Sequence, residues 1–330
     1  MVMEHKAMRF EAPATGCGFA RGRFAVSDGE GNIHLCDMDG DVKTRKVHDG
    51  AVLALATDEK AGAVYTAGDD GKLFAIVDGG EPQLFHDGRK WVDTVTATSR
   101  GHAAWSTGKT IHFLKRGSHE AVDIAAPSSI SGLAFSPDGK WLGAAVYGGA
   151  LLIPVANPAH TKMLEWAGSH LAVGFSPDGR FCVTAMLENA LHVWRIDKPE
   201  EKHGRMGGYP AKPLSFCWTA DGRYMATAGA DVMVLWPFIG ADGPIGAQAG
   251  VFGNPEQQTF SRTVAQRPQS MQLAVGYGDG SLALFDRKAQ SYHPVAAASD
   301  GGPVSGLAFS ADGKRLGFIR EKGELGLVRL

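Results

Sequence analysis

The chain has 330 residues, with 33 Lys+Arg against 35 Asp+Glu and a formal net charge of −2, so no strong overall attraction to nucleic acid or to a membrane surface is built into it. Hydrophobic residues make up 44%, yet Gly alone supplies 44 positions and Pro another 16. That combination disfavours a disordered chain and favours many short elements joined by tight turns around a large core.

The elements begin with a degenerate segment from Cys17 to Val47, which predicts short strands at Arg23-Phe24-Ala25-Val26 and Asn32-Ile33-His34-Leu35-Cys36. From there, strand starts recur at Val52, Val92, Ile130, His170, Pro213, Ser261 and Val304, at spacings of 40, 38, 40, 43, 48 and 43 residues. A phrase returns along this register. It reads Leu133-Ala134-Phe135-Ser136-Pro137-Asp138-Gly139-Lys140, then Val173 to Arg180, then Phe216 to Arg223, and last Leu307 to Lys314. Pro fixes φ before the bend and Asp-Gly supplies the positive-φ residue of a hairpin. Second turns at Asp70-Gly71 and Asp279-Gly280 precede Lys72-Leu73-Phe74-Ala75-Ile76 and Ser281-Leu282-Ala283-Leu284-Phe285. No helical period survives over a useful window and no linker divides the chain, so the expectation is an all-β fold occupying 1–330 as one domain.

The period, the Ser-Pro-Asp-Gly turns and the third-strand phrases resemble the WD-repeat β-propeller family. In that family the third strand ends in Trp-Asp after an Asp-Gly turn. Trp194 and Trp236 hold the Trp position here, with Cys36, Ile76 and Phe285 as substitutes, and the Asp persists at Asp37 and Asp286. The family's Gly-His is reduced to His48-Asp49-Gly50 and His86-Asp87-Gly88. The resemblance implies a propeller of four-stranded blades, eight by the count of repeats and seven if the first segment is irregular. It also implies closure by a terminal strand: Glu324 to Leu330 reads as a third strand, and Met8-Arg9-Phe10-Glu11 is placed to supply the fourth.

By the resemblance, His48 and Asp70 form a structural bracing pair, and Trp194 and Trp236 are structural as well. Gly108-Lys109-Thr110 ends like a phosphate loop, but Ala103 stands where the first Gly belongs and a strand follows, so a hairpin turn is expected. Asp37-Met38-Asp39-Gly40-Asp41 has the oxygen density of a calcium loop, but its Gly comes early and the twelfth position is His48. Asp28, Glu30 and Asn32 make a second acidic turn. His34, His112 and His192 occupy equivalent third-strand places, which separates them around a ring, and no His-Glu-x-x-His occurs. Gly174-Phe175-Ser176-Pro177-Asp178 fails as a nucleophile elbow at its last residue. Cys17, Cys36, Cys182 and Cys217 are dispersed and argue against a disulfide framework or zinc ribbon. No catalytic residue, metal ligand or cofactor is therefore assigned.

Met1-Val2-Met3-Glu4-His5-Lys6 lacks the apolar core of a signal peptide, and Leu142 to Ala156 is too short to span a bilayer, so a cytoplasmic location off the membrane is expected. By the resemblance, the chain is a non-enzymatic scaffold that holds partner proteins or peptides, with no nucleic acid partner. The family's rim positions fall on Leu53, Trp91, Asp93, Leu171, Lys212, Phe260 and Arg262, with Tyr147, Glu188 and Tyr277 at the turns between second and third strands. Gly240 to Gln258 reads as an inserted loop, and Lys198 to Arg205 as a solvated one. The alternatives are a channel-centred, metal-dependent hydrolase or lactonase, and a metal-handling accessory protein suggested by the 12 histidines.

Overall fold

The computed structural model describes residues 5–37, 39–118, 120–253 and 257–330. Met1 to Glu4, Met38 of the acidic turn and positions 254–256 of the expected insertion lie outside the described residues. Among the described residues every regular element is a strand. The chain divides into two compact units, Met1–Ala125 with Ala298–Leu330, and Ala126–Ala297.

The first compact unit holds four sheets of four antiparallel strands. One comprises Ala14–Ala20, Arg23–Asp28, Asn32–Cys36 and Val42–Lys46. Its second and third strands are almost wholly buried, while the fourth, Val-Lys-Thr-Arg-Lys, is largely exposed. Continuous apolar runs thus become central strands, and charge protects the free edge. Val52–Asp58, Ala63–Gly68, Lys72–Val77 and Gln83–Asp87 repeat the order, as do Thr94–Ala97, Ala103–Thr107, Thr110–Leu114 and Val122–Ala125.

The fourth sheet joins the two ends of the chain. Val304–Phe309, Arg315–Arg320 and Glu324–Arg329 are completed by His5–Arg9, with Met8 opposite Leu325. The terminal strand sits earlier than Met8 to Glu11. It stops at Arg9; the Phe10 N–H still donates to the Gly323 carbonyl at 2.8 Å, and the Phe10 ring stacks on His34 with centroids 3.7 Å apart.

The second compact unit holds two four-stranded sheets and one of six. The six-stranded sheet runs Gly132–Phe135, Trp141–Pro154, Lys162–Phe175, Phe181–Met186, Ala190–Arg195 and His203–Met206. Its two 14-residue strands each serve twice. In Trp141–Pro154, Leu142 to Ala145 pair with the preceding strand and Gly149 to Leu152 with the following one. The Val155 N–H donates to the Lys140 carbonyl at 2.9 Å, so the segment doubles back at Tyr147-Gly148-Gly149; fully extended, its ends would lie roughly 45 Å apart. Equivalent closing bonds join Asp78 to Gly62, Ile196 to Arg180, Phe238 to Arg223 and Leu330 to Lys314. Lys162–Phe175 completes one repeat with its first half and opens the next with its second. Among the described residues connected sheets therefore number seven, and the six-stranded one carries two of the eight sequence repeats.

The recurrent turn is built identically wherever the phrase occurs. The Ser136, Ser176, Thr219 and Ser310 hydroxyls each donate to the aspartate two residues on, at 2.7, 2.6, 2.6 and 2.6 Å. The same oxygen accepts the N–H that opens the second strand, at Trp141, Phe181, Tyr224 and Arg315. The Ser310 hydroxyl, followed by the Lys314 N–H, holds the Asp312 carboxyl below the usual range.

Gly240 to Gln258 is not a plain insertion. Gly250–Phe252 forms a fourth strand on Met233–Pro237, with Val251 opposite Val234. The preceding stretch is pinned: Arg180 Nη1 donates to the Gly240 carbonyl at 2.9 Å, and Ile245 packs against the Phe181 and Trp236 core. Its Gly- and Ala-rich composition gives no alternating pattern, which hides so short a strand.

Candidate functional site

The third-strand positions are buried throughout: Cys36, Ile76, Trp194, Trp236 and Phe285 are at most 7% exposed. Around several of them lie closed polar networks. His48 bonds Asp70 through Nδ1 and the Thr66 hydroxyl through Nε2, both at 2.9 Å, and its ring meets Phe74 edge-on. Asp70 also accepts the Asp49 and Lys72 N–H groups. Burial alone would raise its pKa, but the bonds from His48, its charge and the two backbone donors outweigh that and lower it. Asp70 is thereby an oriented, fully used acceptor rather than a reactive acid.

Comparable networks recur. His34 bonds Asp28 and Thr44 at 3.0 and 2.9 Å, and His112 bonds Thr107 and Asp123 at 2.9 and 2.6 Å. His170 bonds Thr184 at 2.6 Å and donates to the Trp166 carbonyl at 3.0 Å. In the sheet of Tyr224–Thr227 and Met233–Pro237 a tyrosine takes the histidine's place. Tyr209 Oη lies 2.6 Å from Thr227 Oγ1 and accepts the Trp236 Nε1–H at 2.6 Å. Sequence reading missed Tyr209. The available signal was its 18-residue separation from Thr227, the same as His48 from Thr66. Thus His34, His112 and His192, the three third-strand histidines, each belong to a local cluster in their own sheet. Among the described residues no group of three or more His, Cys, Asp or Glu is arranged to hold a metal ion.

The expected contact residues lie beside these networks rather than in them. In the first compact unit Leu53 and Trp91 are exposed, Trp91 by 61%, and Asp93 is half-buried, accepting the Gly108 N–H at 3.2 Å. In the second unit Tyr147 is 68% exposed and Phe260 43%, while Glu188, Lys212 and Arg262 are exposed and Leu171 is half-buried. Tyr147 borders an open depression of about 760 Å³ whose wall includes Pro127, Met163, Glu165 and Trp166.

No protein-family model matches the chain. It is similar to WD repeat-containing protein 55 of Homo sapiens, 26% identical over 178 residues (52% of this chain, 44% of that protein). The same protein of Rattus norvegicus is 25% identical over 211 residues, covering 62% of this chain and 52% of that one. An uncharacterised WD repeat-containing protein of Schizosaccharomyces pombe is 23% identical over 133 residues, 38% of this chain and 22% of that one. The chain spans between about a fifth and a half of the length of these relatives. The repeated four-stranded sheets, the His–Thr–Asp bracing and these similarities agree. The chain resembles the WD-repeat β-propellers.

One expected rim residue is misplaced. Tyr277 is fully buried, packed with Leu235, Val275 and Phe285, so it presents nothing to a partner. It is the last residue of Gln272–Tyr277, and strand alternation turns its ring inward. Burial, ahead of the nearby Tyr292, Asp279 and Asp231, pushes its phenol pKa up.

The Tyr209 version of the bracing network has a testable consequence. Burial, partly offset by Thr227 and Trp236, raises the Tyr209 phenol to about 12, so it stays a neutral donor and acceptor. Tyr209→Phe removes that oxygen and strands the Trp236 indole N–H. We expect a loss of about 1–3 kcal/mol in urea unfolding; a change below about 0.5 kcal/mol would contradict the network.

His192 makes the fold acid-sensitive. It is fully buried, stacks on Trp166 with centroids 4.1 Å apart, and lies 3.2 Å from His203 through Nε2. Burial, then the His203, His170 and Arg205 charges, lowers its pKa to about 3. The unfolded chain takes up this proton near pH 6.5 and the folded chain does not. Stability therefore falls as pH drops from about 6.5 toward 3, by about 2 kcal/mol at pH 5. Urea titrations at pH 7 and pH 5 should show this difference in the wild type and a clearly smaller one in His192→Gln. Equal differences would mean His192 is not its source.

Proposed function

We propose that this protein is a non-enzymatic scaffold that holds partner proteins or peptides on the exposed loop residues of its blades. The supporting observation is the division of labour just described. The polar groups that could do chemistry are consumed in buried bracing, whereas large contact side chains, Trp91 and Tyr147 above all, stand in solvent on backbone that the sheets hold rigid. Trp, Tyr and Arg concentrate binding energy when a partner covers them, and rigid presentation lowers the ordering cost. The contact set is Leu53, Trp91, Asp93, Tyr147, Leu171, Glu188, Lys212, Phe260 and Arg262, without Tyr277. The partner is met in the cytoplasm, where four unpaired thiols are at home; burial raises those of Cys17, Cys36 and Cys217 to about 12.

The test is affinity capture from native extract with the wild type and with Trp91→Ala plus Arg262→Ala, which removes one anchor from each compact unit. A specific protein retained by the wild type should fall at least tenfold with the variant, at an unchanged unfolding midpoint. Undiminished capture would refute this contact set.

A further inference from the structure

The segment before Thr94–Ala97 reads Gly88-Arg89-Lys90-Trp91, and Arg89, Lys90 and Trp91 are all exposed. Its backbone is fixed at both sides. The Val92 N–H donates to the Gly68 carbonyl at 3.1 Å, and the Asp93 N–H to the Ser106 carbonyl at 3.1 Å. The hairpin turn Gly108-Lys109 is tied to the same segment by the Gly108 N–H on Asp93, 3.2 Å away. Lys90 reaches over that turn: its Nζ lies 4.0 Å from where a Gly108 side chain would begin. This brings the exposed Lys109 beside Lys90, on the turn tied to the segment that carries Arg89 and the 61% exposed Trp91.

Neighbouring acids offset them only in part. Asp49 is paired with Lys72 at 3.3 Å and Asp70 with His48, which leaves the exposed Asp87 and the half-buried Asp93, acceptor of the Gly108 N–H, as two carboxylates against three cations. Among the described residues Arg89, Lys90 and Lys109 make no ion pair, although the chain as a whole carries slightly more acid than base. The local excess of positive charge is therefore a property of this surface and not of the composition. An exposed apolar plate on the same segment as cations that make no ion pair is complementary to an acidic segment carrying an apolar side chain.

We propose that the Arg89-Lys90-Trp91 loop and Lys109 form a docking surface for an acidic peptide segment of a partner protein, its apolar residue covering Trp91. This rests on the scaffold reading and specifies the partner's chemistry at one part of it.

The experiment is selection from a displayed random dodecapeptide library on the intact protein, repeated on Arg89→Glu/Lys90→Glu/Lys109→Glu. The wild type should enrich peptides with several Asp or Glu flanking an aromatic or aliphatic residue, and the charge-reversed variant should not. A selected peptide, labelled and titrated by fluorescence polarisation, should bind at least tenfold more weakly to Trp91→Ala and weaken as salt is raised. Enrichment of basic or uncharged peptides, no enrichment at all, or equal enrichment on both proteins overturns the proposal. So does a labelled single-stranded oligonucleotide that binds at the same surface more tightly than any selected peptide. If these peptides fail while the captured protein still depends on Trp91 and Arg262, the scaffold reading stands and this one falls.

Discussion

His48→Ala should cost about 3 kcal/mol or more. The side chain is fully buried, and its removal does three things at once. It opens a cavity against Phe74, takes a donor from the Asp70 carboxylate, and leaves the buried Thr66 hydroxyl without its ring partner. Each stranded buried polar group costs about 1–3 kcal/mol, and the cavity adds to that. The sharper measurement is the double-mutant cycle with Asp70→Ala. Two groups acting through one bond should be non-additive by more than 1 kcal/mol. Additive losses would show that the two residues stabilise the fold independently and that the network is only a juxtaposition.

Trp194→Ala and Trp91→Ala should behave oppositely. Trp194 is 1% exposed in the core with Leu152, Val173, Phe175 and Cys182, and its indole N–H donates to the Glu165 carbonyl at 3.4 Å. Truncation there should cost about 3–5 kcal/mol. Trp91 is mostly in water, so its truncation should change stability by less than about 0.5 kcal/mol while lowering partner capture. Urea unfolding of the two variants, run beside the capture assay, separates the roles. A large stability loss from Trp91→Ala would make it a packing residue and remove the strongest anchor of the scaffold reading.

Much of the fold was readable in advance because a repeated turn leaves a repeated sequence. Ser-Pro-Asp-Gly is visible since its hydroxyl, carboxylate and positive-φ glycine act within six residues, and local chemistry of that kind survives divergence. The same holds for His48 and Asp70, whose separation follows the repeat. Tyr209 was not readable in this way. A tyrosine replaces a histidine there, and only its position beneath Trp236 shows that the phenol performs the same bonding. Gly250–Phe252 escaped because three residues without alternation carry no period.

The rim residues divide along a similar line. Trp91 and Tyr147 lie where chain reversals put side chains into solvent, and reversals can be located by spacing. Tyr277 was placed at the same kind of turn by that spacing, yet it is buried. Which way the last residue of a strand points depends on register within the sheet, and a shift of one residue turns the ring from water to core.

By itself, then, the amino-acid sequence determined the all-β class, the repeat length, the turn chemistry and the family resemblance, because each is carried by local propensity and period. Only the tertiary structure decided the register of His5–Arg9 against Glu324–Arg329, the doubling-back of Trp141–Pro154, the burial of Tyr277 and the partners of the buried histidines other than His48. Those depend on groups distant in the chain being brought within hydrogen-bond or van der Waals range, and no local pattern encodes which of them meet.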